Sequence, residues 1–463
     1  MSFLTLVTAS LMLIVGTSAE QGYFWFVNDI HYDPTYETSQ QSCNDQIPQE
    51  NLGKYGNYEC DAPWALVKAS LEAAKNIGPS PDFIMWAGDN PYHAKNKSYL
   101  SVDKVLELTQ NVTDLFKRIF PGVQVYPTLG NHDYFPTSQL PAEPSFIYDE
   151  VAKMWADWIN KTEDAMQSFR KFASYELTMK EGYKLIELNT NIYYKSDQVT
   201  RDKADPGEQF AWFTEKLAGA RVSNEKVHIL THIPSGVVGS QPGTFWFNEH
   251  HNIRFNEIIR EYSNVILALY GVHQHTDTFH IFYKKEKPVA SQIIVPSVTP
   301  WRSRLSPTTR GEARNPAIRK FLYNRDSMAL TGFEQYYLSL PNATEEGIPT
   351  WKLLYTSKDA YGLDDLQAQS MHNLVVNSFE KPGNALFSEY HRYNTVNAKH
   401  LSNALCSTEC KKAHICSIKH VDYSFYNQCR GPAFSRATIL REIVSDCWQL
   451  SLAILVLTLQ FSK

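Results

Sequence analysis

A chain of 463 residues with 43% hydrophobic and 20% charged residues can fill a large core, which excludes a disordered or low-complexity protein. Its formal net charge of -5, with Lys and Arg scattered along the chain, excludes a nucleic-acid polymer as bulk partner. Fifteen His residues would turn the charge positive at pH 5, which suits an acidic compartment.

The chain opens on an apolar run, residues 3–15, followed by Gly16-Thr17-Ser18-Ala19. Small residues at Thr17 and Ala19 fit a signal-peptidase site, so residues 1–19 are expected to be a secretory signal. Such a run is too short to span a bilayer comfortably. Four N-x-S/T sequons, at Asn96, Asn111, Asn160 and Asn342, agree with secretion. So do the seven Cys, which contain no C-x-x-C pair and group as a disulfide framework. Proximity favours Cys43–Cys60, Cys406–Cys410 and Cys416–Cys429, although spacing alone leaves other connectivities open.

From residue 20 onward the pattern alternates. Short apolar runs at residues 23–27, 83–87, 123–128, 227–230 and 265–270 predict strands buried on both faces. Helical stretches at 63–77, 101–119, 208–220 and 252–262 lie between them, a βαβ rhythm that predicts an α/β layered domain. Segments 174–188, 278–283, 292–299, 334–340 and 351–356 read as antiparallel strands of a second sheet. Residues 363 to about 430 become helical and then Cys-rich. A catalytic domain over 20–360 and a small helical, disulfide-rich subdomain over 361–430 are therefore expected. The tail, 431–463, is apolar from Trp448 to Phe461, which predicts a lipid-anchor (GPI) signal. Cleavage before Cys447 would leave an even number of Cys; the competing expectation is an amphipathic helix packed on the domain.

The chemistry sits where strands stop. The first ends in Asn28-Asp29-Ile30-His31 and the second in Gly88-Asp89-Asn90-Pro91-Tyr92-His93. The third ends in Gly130-Asn131-His132-Asp133, and the last two in Thr231-His232-Ile233-Pro234 and Gly271-Val272-His273-Gln274-His275. Ligands of open α/β sheets gather beyond the carboxyl ends of strands, so five motifs are expected to converge on one rim. Asp89 can bridge two ions by offering one oxygen to each. A mixed His and carboxylate set favours Zn, Mn or Fe over Ca or Mg, with zinc leading in a secreted setting. Each motif alone is weak; the ordered set of five is strong.

This set resembles the calcineurin-like metallophosphoesterase superfamily. Residues 24–36, the Asp89-to-His93 spacing, His273-Gln274-His275-Thr276-Asp277-Thr278-Phe279 and Asn315-Pro316-Ala317-Ile318-Arg319 are similar to acid sphingomyelinase-like phosphodiesterases. The resemblance covers about residues 22–430. It implies a four-layer sandwich of two mixed β-sheets flanked by helices, with a small helical Cys-rich C-terminal subdomain. It also implies one metal on Asp29, His31, Asp89 and His275 and another on Asp89, Asn131, His232 and His273. His132 and His93 match the family's catalytic histidines, His132 as general acid and His93 as supporting donor. One departure is Val272, where the family carries Gly before its His-x-His, so a differently shaped turn is expected there.

The expected activity is hydrolysis of phosphodiester or pyrophosphate bonds in nucleotides, nucleotide-diphosphate conjugates or choline-type small molecules, by a monomer. Tyr92, Tyr134, Phe135 and Trp246 could stack a base or simply pack. Sphingomyelin is the alternative substrate. A non-catalytic lipid-binding role at the cell surface is the alternative of another class.

Overall fold

The computed structural model describes residues 20–304, 310–398 and 406–431. The expected signal segment 1–19, Cys447 and the expected anchor signal lie outside the described residues.

Six strands form one mixed sheet. They are β1 (Gln21–Val27), β2 (Ile84–Trp86), β3 (Val125–Pro127), β10 (Ala317–Asn324), β11 (Leu330–Leu338) and β12 (Trp351–Thr356), in the order β12-β11-β10-β1-β2-β3. The second sheet runs β4-β5-β6-β7-β9-β8, from β4 (Tyr175–Lys180), β5 (Tyr183–Leu188), β6 (Lys226–Thr231), β7 (Ile266–Gly271), β9 (Lys287–Ile294) and β8 (Thr278–Lys284). β1, β2 and β3 are mutually parallel, as are β5, β6, β7 and β9. The remaining pairings are antiparallel.

The two mixed sheets that the resemblance implies are present, and only the periodicity reading of the later segments as a separate antiparallel sheet is corrected. The five parallel strands split between the sheets, and β10–β12 add to the free edge of β1. Apolar periodicity reports burial but not which edge a strand joins. β10, with Arg319 and Lys320 at its centre, carries no clean apolar run and was not expected. β9 covers Lys287–Ile294 rather than 292–299. Its expected second half leaves the sheet, and Val298 and Thr299 donate to the carbonyls of Asn28 and Asp29 at 3.1 and 3.0 Å.

Period-two alternation explains the layers. Phe24 and Phe26 of β1 face the other sheet, where Tyr270 of β7 packs on them at 6.1 and 5.6 Å and on Phe321 of β10 at 5.4 Å. Trp25 points the opposite way, toward the helices, and its indole donates to Gly78 O at 3.1 Å. The helix Val102–Ile119 is capped by Ser101, whose hydroxyl accepts the Lys104 N–H. Its apolar stripe of Val105, Leu108, Val112, Leu115 and Phe116 is buried. Beyond β12, helices such as Ala368–Leu374, Leu386–Asn394 and Thr408–Lys419 lend Met371, Leu374, Tyr390 and Ile418 to the same core. Among the described residues the disulfides are Cys43–Cys60, Cys406–Cys410 and Cys416–Cys429. Among the described residues no helix is long and apolar enough to cross a membrane.

One buried carboxyl ties the sheets together. Glu187 of β5 is inaccessible to solvent and accepts from the Thr128 hydroxyl just beyond β3. Its Oε2 has no partner, and burial pushes its pKa well above the carboxylate range. A raised acid stabilises fully below the unfolded value and loses that contribution as pH rises above it. Glu187→Gln, which keeps the acceptor, is therefore expected to exceed wild-type stability at pH 8. The gap should close toward pH 4. Melting curves across that range check it, and a gap independent of pH would contradict it.

Candidate metal centre

β1 stops at Val27, and the next residues run as a loop beside the one that follows β2. Asp29 N–H donates to Gly88 O at 3.0 Å and His31 N–H to Asp89 O at 2.9 Å. Asp29 and His31 both have φ of 45°, while Asp89, His273 and His275 have 56°, 68° and 58°. These left-handed conformations cost about 1–3 kcal/mol each in a non-glycine residue. They mark where the chain leaves strand geometry at the carboxyl ends. Two glycines permit the close approach of the loops after β2 and β3. A Cβ on Gly130 would stand 2.1 Å from Asp89 Oδ1, and one on Gly88 would stand 2.3 Å from the Gly130 nitrogen.

Six of the seven sequence-nominated ligands meet here as two adjoining groups. In one, ligand atoms of Asp29, His31 and His275 lie within 4.8 Å of one another; in the other, those of Asp89, His232 and His273 do. His275 Nε2 is 3.7 Å from Asp29 Oδ1. Asp89 stands between the groups, its Oδ2 3.3 Å from His31 Nε2 and 3.2 Å from His232 Nε2. Its Oδ1 accepts the His132 N–H at 2.7 Å. A single oxygen therefore faces both groups, and a backbone N–H occupies the other.

Neighbouring contacts aim the ligand atoms inward. His31 Nδ1 lies 2.9 Å from Pro91 O and His232 Nδ1 2.7 Å from Ala87 O, so each Nδ1–H donates outward and Nε2 is left as the inward lone pair. The Asn131 amide donates to Ser138 Oγ at 3.1 Å, and its oxygen stays buried without a hydrogen-bond partner. Asp29 Oδ1, Asn131 Oδ1 and Nε2 of His31, His232 and His273 are all buried without a hydrogen-bond partner. Buried polar atoms left unpaired are rare, and a cluster of them fits a pair of cations. A third cluster, His31, His93 and His132, has no carboxylate to balance a divalent charge.

Protons compete with cations at this centre, and a cation on Nε2 of His31 or His232 displaces one. Burial pushes Asp29 up to about 6 despite the opposing charge of His232. Burial would lower His31 and His232, but Asp89 overrides it and holds both at about 9. Burial would also raise Asp89, yet His232, His132 and His31 keep it well below the carboxylate range. Nor are the histidines a free pool. Burial pushes the non-ligand His228 and His280 down to about 4, so the expected positive charge at pH 5 is overstated.

The two nominated catalytic histidines stand together on the rim, with ring centres 4.4 Å apart. Burial holds His132 well below the imidazole range and lowers His93 as well. Two residues that the sequence did not single out fix His93. Asp61 accepts its backbone N–H at 2.6 Å and lies 3.1 Å from its Nδ1, while Trp301 stacks on its ring at 4.0 Å and 9°. Asp61 follows Cys60 of the first disulfide, a position with no periodic signal to betray it. Asp133 was named without a role. Its carboxylate accepts the backbone N–H groups of Asp89, Gly130 and Asn90 at 2.6, 2.8 and 3.0 Å, bracing both glycine loops.

Of the aromatics, Trp246 packs on His273 at 4.3 Å and Tyr134 on Tyr148 at 5.8 Å. Tyr92 is buried in a cluster that Phe135 packs against, with its hydroxyl on Gln41 at 2.6 Å, so Tyr92 is not a stacking platform. The Val272 departure does not displace the turn. The positive φ falls on His273 and His275, and Val272 is buried with its N–H on His232 O at 2.8 Å.

Family comparison agrees with this geometry. Residues 22–277 match the calcineurin-like phosphoesterase model, and residues 287–433 match the acid sphingomyelin phosphodiesterase C-terminal region. The acid sphingomyelinase-like phosphodiesterase 3b of Homo sapiens is 36% identical, covering 89% of this chain and 91% of that one. The chain belongs to the acid sphingomyelinase-like branch of the calcineurin-like phosphoesterases. This phosphoesterase is a metal-dependent phosphoric diester hydrolase, from a family that uses a dinuclear metal centre. A second relative, the cyclic GMP-AMP phosphodiesterase SMPDL3A of Bos taurus, is also 36% identical to it, covering 89% of this chain and 92% of its own.

Asp133→Ala removes the brace without touching a ligand atom. It is expected to weaken metal binding about 10–100-fold while circular dichroism is retained. Competition with a chromogenic chelator measures this, and an unchanged affinity would contradict the bracing role.

Proposed function

We propose that the phosphoesterase is a secreted or cell-surface binuclear zinc enzyme that cleaves phosphodiester or pyrophosphate bonds of nucleotides or choline-type conjugates. The observation that carries this reading is the set of inward, unpaired ligand atoms on Asp29, His31, Asn131, His232 and His273 around the shared Asp89. When bound, two divalent cations supply an activated water and positive charge against the phosphoryl oxygens. Asp29, His31, Asp89 and His275 would hold one, and Asp89, Asn131, His232 and His273 the other.

The chain's own residues do the rest. His132 donates a proton to the leaving oxygen as general acid, and an incoming phosphate anion supplies the charge that favours its protonated form. His93 is the second donor. Asp61 holds its Nδ1, leaving Nε2 for the substrate, and Trp301 fixes the ring plane. The name of the Bos taurus relative supports a nucleotide substrate, and the disulfides support an oxidising compartment.

His132→Ala and Asp89→Ala are expected to lower turnover of bis-p-nitrophenyl phosphate by about 10²-fold or more, with the fold retained. Retention of wild-type kcat by His132→Ala would remove its role as acid. A panel of nucleotide conjugates, cyclic dinucleotides and sphingomyelin at pH 5 and 7 tests the substrate. Turnover of sphingomyelin alone would favour a lipid enzyme, and no turnover by zinc-loaded protein would favour a non-catalytic role.

A further inference from the structure

His275 sits on the turn that joins β7 to β8, and that turn is tied down at both ends. At its start Val272 donates its N–H to His232 O at 2.8 Å, and His273 donates its own to Asp29 Oδ2 at 3.2 Å. At its far end stands Asp277, two residues after His275. Its carboxylate pairs with Arg319 of β10 at 2.6 Å and accepts from the Tyr355 hydroxyl of β12 at 2.5 Å. All three side chains are buried.

The backbone of Asp277 is held by a residue 117 positions away. Asn394 closes the helix Leu386–Asn394. Its side-chain amide donates to Asp277 O at 2.9 Å, while its own carbonyl accepts the Asp277 N–H at 3.2 Å. One helical turn earlier, on the same face, Tyr390 shares a hydrogen bond of 2.7 Å with the Thr278 hydroxyl. Asn394 and Tyr390 are both buried, so these bonds form out of contact with bulk water.

The two histidines of the turn are supported differently. His273 has Asp29 on its N–H, and Tyr194 and Trp246 flank its ring at 5.2 and 4.3 Å. His275 lies nearer the clamped end. Its backbone is left-handed, with φ of 58°, a conformation that persists only where the surroundings enforce it. The bonds on Asp277 and Thr278 enforce it from the downstream side. Groups that orient a metal ligand from behind set its affinity, even at one remove.

We propose that Asn394, with Tyr390 beside it, is a positioning residue for His275, so that the helix Leu386–Asn394 sets how tightly the Asp29–His31–His275 half of the centre holds its cation. Neither side chain is a ligand. The effect is confined to one cation, because the other half draws His232 and His273 from parts of the seam with supports of their own. The inference rests on the two-cation reading of the site.

Stepwise removal of zinc from the loaded protein by a chromogenic chelator tests this. Asn394→Asp keeps the shape of the side chain but puts a carboxylate oxygen where the amide donated. One of the two release steps is expected to weaken about tenfold or more while the other stays as in wild type. Tyr390→Phe should move the same step, by less. In a His275→Ala background neither substitution should add to the loss, because the ligand through which both act is gone. Unchanged affinity overturns the proposal. So does equal weakening of both steps, or a loss that adds in full to that of His275→Ala, since either marks a general structural role. Should Asn394→Asp fail to fold, Tyr390→Phe decides by the same criteria. A wild type that releases a single cation would end the two-cation reading, and the cycle with His275→Ala would still decide: non-additive losses uphold the role of Asn394, and additive losses overturn it.

Discussion

Everything at the centre depends on the seam where the carboxyl edges of the two sheets meet. His232, from the end of β6, donates across the seam to Ala87 at the end of β2. From the other direction, Thr299 and His273 bring their N–H groups to Asp29, one to its carbonyl and one to its carboxylate. These bonds act with the Thr128–Glu187 and Asn191–Leu129 contacts to fix the two sheets at their rims. Without them, side chains separated by up to 246 positions, as Asp29 and His275 are, would have no common point.

The seam is held in a state that the polypeptide alone does not favour. Five ligand residues adopt left-handed backbone, two glycines touch where any side chain would collide, and several polar atoms are buried unpaired. The large core between the sheets, built on Phe24, Phe26, Tyr270 and Phe321, over-determines the backbone and maintains that strain. Cations resolve the unpaired atoms, so metal binding and local stability are coupled. The neighbours then act at one remove. Asp133 braces the loops, Asp61 sets the face that His93 presents, and Trp301 limits its rotation.

Much of this was legible in the sequence, for a definite reason. Polar residues that end an apolar run mark a strand's carboxyl end, and parallel strands send those ends to one rim. Asp29, Asp89, Asn131, His232 and the His273/His275 pair all carry that signature. Asp61 and Trp301 do not, because they arrive on irregular segments braced by a disulfide and by the chain leaving β9. The partition of strands between sheets was hidden because periodicity encodes burial rather than neighbours. β10 was hidden because buried Arg319 needs Asp277, a partner from a distant segment, to sit in a core.

The central claim is that two cations share Asp89 at this seam, and anomalous diffraction from crystals of the metal-loaded protein tests it most directly. The account predicts two peaks flanking Asp89 Oδ2, one beside Asp29, His31 and His275 and one beside Asn131, His232 and His273. A single peak among His31, His93 and His132, or none near Asp89, would contradict it.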